Sequence, residues 1–192
     1  MKRLRLFVAL VLSLLVVLPA YAGADYSKAI KVFKDSPVVQ PYFKNAYGYA
    51  IFPTIGKGGI GIGGAHGSGQ VYQGDKLTGK TSMTQLTIGF QLGGQAYSQI
   101  IFFEDKRAYT DFTSGNFEFG AEASAVAITA GAQAQAGTTG TAASASPGGS
   151  AGKQAATKYY KGMAVFTRAK GGLMYEAAIG GQKFSFEPIG KK

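Results

Sequence analysis

The chain is 192 residues long, with 20 lysines and arginines against 10 acids, a formal charge of +10, one histidine and no cysteine. Without cysteine there is no disulfide framework, no thiolate metal centre and no lipid-acylated N-terminus, and a single histidine gives no footing for a Ser/His/Asp set. The length is enough to bury a sizeable core by packing alone.

Lys2, Arg3 and Arg5 precede an apolar run over residues 6–18, followed by Pro19 and the small-residue site Ala20-Tyr21-Ala22. A charged start, a short apolar core and an A-x-A site describe a secretory signal peptide, cleaved after Ala22. The apolar core is shorter than the roughly 20 residues a membrane-spanning helix requires. Residues 1–22 are expected to be a leader and 23–192 a single domain. Losing the leader leaves 17 bases against 10 acids, a charge of +7, spread as +3 over 23–60, −2 over 61–152 and +6 over 153–192. On an exported protein such a surface suits anionic lipid or another polyanion more than nucleic acid, or simply keeps the protein in solution.

Asp25 is placed to cap a short helix in which Tyr26, Ile30 and Phe33 recur at helical spacing, with Lys28, Lys31 and Lys34 largely off that face. The three apolar residues are assigned to the core, although a free apolar side would be able to enter a membrane. Ser36-Pro37 predicts a cap and first-turn proline for a second helix reaching Asn45, with Val39, Tyr42, Phe43 and Ala46 as its apolar residues. A β-like run over 47–52 is expected to stop at Pro53. Glycines follow at 56, 58, 59, 61, 63, 64, 67 and 69. Each costs conformational entropy on ordering, so the stretch implies a bend, a close approach or a ligand contact. In an extended chain Ile60 and Ile62 share one face and Gly59, Gly61 and Gly63 the other, a bare face for a neighbouring backbone or ring.

Gly74-Asp75-Lys76 reads as a turn. From Met83 the period is two, with Leu86, Ile88, Phe90 and Leu92 on one face and Gln85, Thr87, Gly89 and Gln91 on the other, closed by Gly93-Gly94. Residues 97–103 end in Ile-Ile-Phe-Phe, the continuous apolar pattern of a strand buried on both sides. Residues 105–114 predict one short helix with Ala108, Tyr109 and Phe112 inward, stopped by Gly115. Phe117, Phe119, Ala121 and Ala123 alternate with Glu118, Gly120, Glu122 and Ser124. Val126, Ile128 and Ala130 then take the opposite parity, which predicts a bulge or bend near Ser124. Residues 137–157 read as a flexible Ala/Gly/Ser loop. The last strands are expected at 159–168, 173–180 and 183–186. Gly48-Tyr-Ala-Ile-Phe is echoed by Gly162-Met-Ala-Val-Phe, which suggests two hairpins similarly placed in one antiparallel sheet.

Gly74-Asp-Lys-Leu-Thr-Gly79-Lys80-Thr81 matches the phosphate-loop pattern G-x-x-x-x-G-K-[ST]. That loop works because its lysine and threonine open a helix whose free amides face the phosphates. Thr81 is followed by a period of two, so a polar hairpin is predicted and nucleotide binding is not. Gly59-x-Gly61-x-x-Gly64 likewise lacks the helix and distal acid of a dinucleotide site. His66, among glycines, reads as a turn residue. Glu104 with Asp105 and Glu118 with Glu122 read as caps and solvated strand faces, since glycosidase chemistry needs a cleft as well. No catalytic residue, metal site or cofactor is assigned, and the protein is not read as an enzyme.

Five blocks occur in order along nearly the whole mature chain: Gly48-Tyr-Ala-Ile-Phe-Pro, the glycine run ending Gly67-Ser-Gly-Gln-Val-Tyr, Met83-Thr-Gln, Gly89-Phe-Gln-Leu-Gly-Gly-Gln-Ala-Tyr-Ser-Gln-Ile-Ile-Phe-Phe, and Phe119-Gly-Ala-Glu-Ala-Ser. Together they resemble the SYLF domain. The resemblance implies lipid binding. Eukaryotic members bind phosphoinositide membranes, partly through an N-terminal basic amphipathic segment, and some bind actin; exported bacterial members are small lipid-binding or envelope proteins. Neither actin nor phosphoinositide transfers to an exported chain of bacterial type, for which phosphatidylglycerol or cardiolipin head groups are the anions implied. The Ala/Gly/Ser stretch after Gly131 departs from the eukaryotic pattern.

These readings predict an α+β fold: a bent antiparallel β-sheet with a barrel-like core, and short helices packed at the N-terminus and after the Ile100–Phe103 strand. The expected function is non-enzymatic, peripheral association with an anionic phospholipid membrane surface, through Lys28, Lys31, Lys34 and Lys44, in the periplasm. The alternatives are an envelope scaffold with a protein partner and a small outer-membrane β-barrel.

Overall fold

The computed structural model describes residues 25–89, 95–121, 123, 125–128, 159–170 and 179–190. Asp25 accepts a hydrogen bond from the Lys28 amide at 2.9 Å and opens α1 (Tyr26–Lys34), as its sequence position predicts. The second helix begins later than expected. The Ser36 carbonyl accepts from the amides of Val39 and Gln40, closing a turn over 37–39, and α2 runs Gln40–Asn45. Its first-turn proline is Pro41 rather than Pro37.

Strand β1 (Gly48–Gln73) is a single ribbon with two partners. Residues 61–73 pair with β2 (Lys76–Gly89), and residues 48–57 with β3 (Gln95–Phe103), both antiparallel. Pro53 does not end the strand. Its missing amide falls where the register with β3 skips between Phe52 and Ile55, a place where the ladder is already interrupted. The skip also moves the inward parity from Ala50 and Phe52 to Ile55, all three in the interior core. Between the two pairing halves Gly59 takes φ 154°, a backbone conformation that side-chain-bearing residues rarely adopt.

The halves of β1 then lie against each other. A Cβ on Gly67 would stand 2.6 Å from Ile55 Cγ1, and one on Gly69 would stand 2.7 Å from ring atoms of Phe52 and from the Ile51 carbonyl. A close approach, one of the three reasons the glycine run implies, is found at Gly67 and Gly69, further along than the bare face assigned to Gly59, Gly61 and Gly63. The ends of the ribbon meet as well. The Gly74 amide donates to the Tyr47 carbonyl at 3.2 Å, and the rings of Tyr49 and Tyr72 stack at 4.9 Å.

Asp105 caps α3 (Lys106–Thr113) by accepting from the Ala108 amide at 2.8 Å, and Gly115 follows at φ 90°. The remaining strands are β4 (Phe117–Glu118), β5 (Val126–Ala127), β6 (Met163–Lys170) and β7 (Gln182–Pro188). Among the described residues they complete a seven-stranded sheet in the order β4-β7-β2-β1-β3-β6-β5, antiparallel except where β5 joins β6. β4 and β5 sit on opposite edges although only residues 119–125 separate them. That segment reaches at most roughly 25–30 Å, so the sheet is curled into a half-barrel. The curl accounts for the parity change in the sequence. Phe119 and Ala123 enter the interior core, whereas Val126 and Ile128 pack on the other side, beneath the helices.

Two cores share the sheet. The interior holds Phe52, Ile101, Phe103, Val165 and Phe184 with Phe112 of α3. The outer one sets Ile51, Ile100, Phe102 and Phe166 under Ala29, Phe33 and Val39 of the helical segment. β3 is thus buried on both faces, as its apolar run predicts. The α+β half-barrel with helices in the expected places agrees with the sequence reading.

Elsewhere the structure decides what the sequence left open or departs from it. On β2 the glutamine face turns inward: Gln85 is 5% exposed and Leu86 84%. The strand expected to run on from Phe117 ends with the two residues of β4, although Phe119 and Ala123 still face the interior and only Ala121 departs from the expected side. The echoed segments both flank β3, but Tyr49 lies opposite Phe102 and Met163 opposite Phe103. That offset of one residue reverses the faces, so Ala50 is interior and Ala164 lies under the helices. The expected leader 1–22, the loop 137–157, the bend at Ser124, residues 90–94 and most of the strand 173–180 lie outside the described residues.

Gly69→Ala is expected to destabilise the domain by about 1–3 kcal/mol, the usual cost of overpacking. Gly56→Ala, where a Cβ meets nothing within 4 Å, is expected to be neutral or slightly stabilising. Urea midpoints of the two variants check this; equal midpoints would contradict the close approach of the two halves of β1.

Candidate functional site

The candidate surface is built on α1. Its Phe33 is fully buried and Ala29 nearly so, while Tyr26 and Ile30 are half-buried against the same outer core. Burying a phenylalanine is worth about 1.5–3 kcal/mol, so withdrawing this side of α1 to enter a membrane would forfeit the packing that holds the helix. The side left to solvent is basic. Lys28, Lys31, Lys34 and Lys44 are all exposed.

Their surroundings differ. Lys31 is paired with Asp35 at 2.9 Å, one turn on in the helix. Lys34 places its ammonium 5.3 Å from the centre of the Phe43 ring, which itself packs edge-on against Phe102 at 4.9 Å. Among the described residues no ion pair joins Lys28, Lys34 or Lys44 to an acid. The four therefore share one helical segment but form no single cluster.

Sequence reasoning missed a cation that lies near one of them, Lys28. Lys170, at the end of β6, donates to Thr54 Oγ1 at 2.6 Å. Its ammonium is held below the usual lysine range, first by burial and then by repulsion from Lys28. The two lysines are 142 positions apart in the chain, and no local signal links them.

The weaker motifs resolve structurally. Thr81, which would open a helix in a phosphate loop, lies inside β2 and donates to the Ser185 carbonyl at 2.6 Å. His66 is exposed within β1 and is not a turn residue. Asp105 is a helix cap, and Glu118 pairs with Lys183 at 3.5 Å. Among the described residues there is no group of three potential metal ligands, and no helix long and apolar enough to cross a membrane. An open depression of about 570 Å³ lies between residues 118–121 and Gly180–Gly181; Glu118 is the charged residue on its rim.

A curled sheet clamped under short helices, with cations on the outer side of those helices, defines a half-barrel α+β domain whose exposed chemistry is basic. Residues 84–186, more than half of the chain, match the Ysc84 family, described as Las17-binding protein actin regulator. The chain belongs to this family, that of the SYLF domain. It is also similar to beta cell expansion factor A of Aeromonas veronii, at 28% identity over 158 residues that cover 81% of this chain and 51% of the relative. The chain thus spans about half the length of that relative.

The aromatic layer under the helices makes stability sensitive to alkali. Burial pushes the Tyr49 hydroxyl up to about 12, helped by Tyr72 and Asp75, and burial pushes Tyr159 to about 12, helped by Tyr42 and Glu104. An unfolded tyrosine ionises near 10, so the neutral form favoured by folding is fully present below that pH. Stability is expected to hold to about pH 9.5 and to fall as pH rises through 10 towards 12. Denaturant midpoints against pH measure this, and Tyr49→Phe/Tyr159→Phe is expected to flatten the decline.

Proposed function

We propose that this protein is an exported, non-enzymatic lipid-binding domain that associates peripherally with anionic phospholipid in the cell envelope. The observation that carries this reading is the division of α1, with Phe33 locked in the core and Lys28 and Lys34 left facing solvent without an acid partner among the described residues. Lipid binding is a general property of the SYLF family, and the basic segment gives this chain an electrostatic means to it. Each base near a charged bilayer contributes about 1 kcal/mol, so Lys28, Lys34 and Lys44 supply a weak, reversible and salt-sensitive attraction. Lys31 contributes less while Asp35 neutralises it. Export rests on the leader pattern over 1–22, and a periplasmic location with phosphatidylglycerol or cardiolipin as the lipid follows from that export.

Two alternatives fit less well. A transmembrane barrel turns an apolar band to lipid all round its wall, whereas here the outer face of β3 and β6 is covered by Phe33 and Val39. A protein partner draws its support from the family description as a Las17-binding protein; the exposed Leu86 on β2 is the apolar point such a partner would meet.

Co-sedimentation with vesicles tests the proposal. At low salt, recovery is expected with phosphatidylglycerol vesicles and not with neutral phosphatidylcholine, and Lys28→Gln, Lys34→Gln and Lys44→Gln are each expected to weaken binding roughly fivefold. Equal recovery with both lipids would rule the mechanism out.

A further inference from the structure

We propose that Lys28, Arg168 and Lys170, together with the Thr54 hydroxyl, form a seat for one phosphate group, supplied by a phosphodiester head group or by free phosphate. The inference deepens the lipid-binding reading and rests on it for the head-group source. It starts from β6. Ala164 and Phe166 lie under the helices, and the unbroken register from Met163 to Lys170 carries Arg168 and Lys170 along the same face. Arg168 is half-buried there, and Lys170 is pinned to Thr54 at 2.6 Å. Thr54 itself stands at the skip that Pro53 makes in the β1 register. Ala29, next to Lys28 in the first turn of α1, packs in the same outer core as Ala164 and Phe166, so α1 lies over this face of β6, and the charge of Lys28 acts on Lys170.

Among the described residues no ion pair joins Lys28, Arg168 or Lys170 to an acid. Asp25 is engaged by the Lys28 amide in capping α1, and Asp35 by Lys31 a turn further on. Like charges held together in this way repel, and an anion between them removes the repulsion. The donor chemistry also suits phosphate. The Thr54 oxygen accepts from Lys170 and keeps its own O–H to donate, while Arg168 offers a planar fork and Lys28 a mobile ammonium. Among the described residues Lys34 and Lys44 have no such partners: one lies over Phe43 and the other sits in the last turn of the short α2.

The test compares two variants that each remove two charges, Lys28→Gln/Lys170→Gln and Lys34→Gln/Lys44→Gln, on vesicles of phosphatidylglycerol in phosphatidylcholine. A built seat predicts that the first pair loses at least about tenfold more affinity than the second, that Lys28→Arg/Lys170→Arg restores most of it, and that Thr54→Val weakens binding several-fold. Equal losses would overturn the seat and leave lipid binding intact. Unchanged thermal melting of each variant excludes misfolding as the cause. A parallel NMR titration of the wild-type chain with inorganic phosphate and glycerol phosphate separates the sources. Saturable shifts at Thr54 and Lys170 that vanish in Lys28→Gln/Lys170→Gln support a seat open to free phosphate, even if vesicles are not bound. A response to vesicles alone assigns it to a head group. Should the wild type respond to neither, the proposal is wrong.

Discussion

The structure depends on one close approach, that of the two halves of β1 across Gly67 and Gly69. Facing β-layers ordinarily stand about 10 Å apart because side chains from both sides fill the gap. Here one side contributes none, and the Phe52 ring and Ile51 carbonyl occupy the space directly over Gly69. Ordering each glycine costs roughly 0.5–1 kcal/mol relative to alanine, while fully burying Phe52 or Ile55 returns about 1.5–3 kcal/mol each. The balance favours the tight curl only because the rings and methyl groups of the first half fit against bare backbone in the second. From that curl follow the short link between opposite sheet edges and the burial of β3 on both faces.

The helices complete what the curl begins. Bending the sheet leaves Tyr49, Ile51, Phe102 and Phe166 on its convex side, and α1 and α2 cover them. α1 is too short to satisfy this surface and a bilayer at once. Its lysines are consequently displayed on a fixed support, which would lower the entropy lost on binding the anion proposed for them. The same fixation brings Lys28 to Lys170, a juxtaposition created by the sheet order and not by the helix itself.

What was legible in the sequence was local. Asp25 and Asp105 announce their helices because capping involves residues three positions apart, and Ile100–Phe103 announces a doubly buried strand because both faces of the run are apolar. The glycine run announced a close approach without naming its partner. Pro37 misled because Pro41 serves the same role four residues later. Pro53 misled because a proline is tolerated wherever a ladder skips, and the skip is set by Ser98 and its neighbours on β3. Of the site, the four lysines were legible as a basic segment, but the division between paired Lys31 and unpaired Lys28, and the arrival of Lys170, depended on contacts across the fold. Gln85 and Leu86 show the limit most clearly, since alternation gives two faces and only the rest of the sheet decides which one is interior.

Why glutamine faces inward at all is answered across the half-barrel. Gln85 and Gln182 are ladder partners on β2 and β7, and Gln99 lies on β3, two strands away from β2 in the sheet order. The curl nonetheless brings Gln99 and Gln182 together. Their amides exchange hydrogen bonds of 2.9 and 3.2 Å, Gln182 also donates to Tyr97 Oη at 3.2 Å, and Gln85 donates to the Gly180 carbonyl at 2.8 Å. Leucines in these places would bury more apolar area, but they would pack in either of two registers. A slip of β7 by one residue exchanges Gln182 for Lys183 in the interior and leaves the Gln99 amide unpaired, at a cost of about 1–3 kcal/mol for the amide and several more for the charge. A glycine-rich strand specifies register weakly because it has few side chains to distinguish its faces. The buried amides supply the distinction that the glycines of β1 cannot, and so the residues that let the sheet curl and the residues that fix how it closes are complementary parts of one solution.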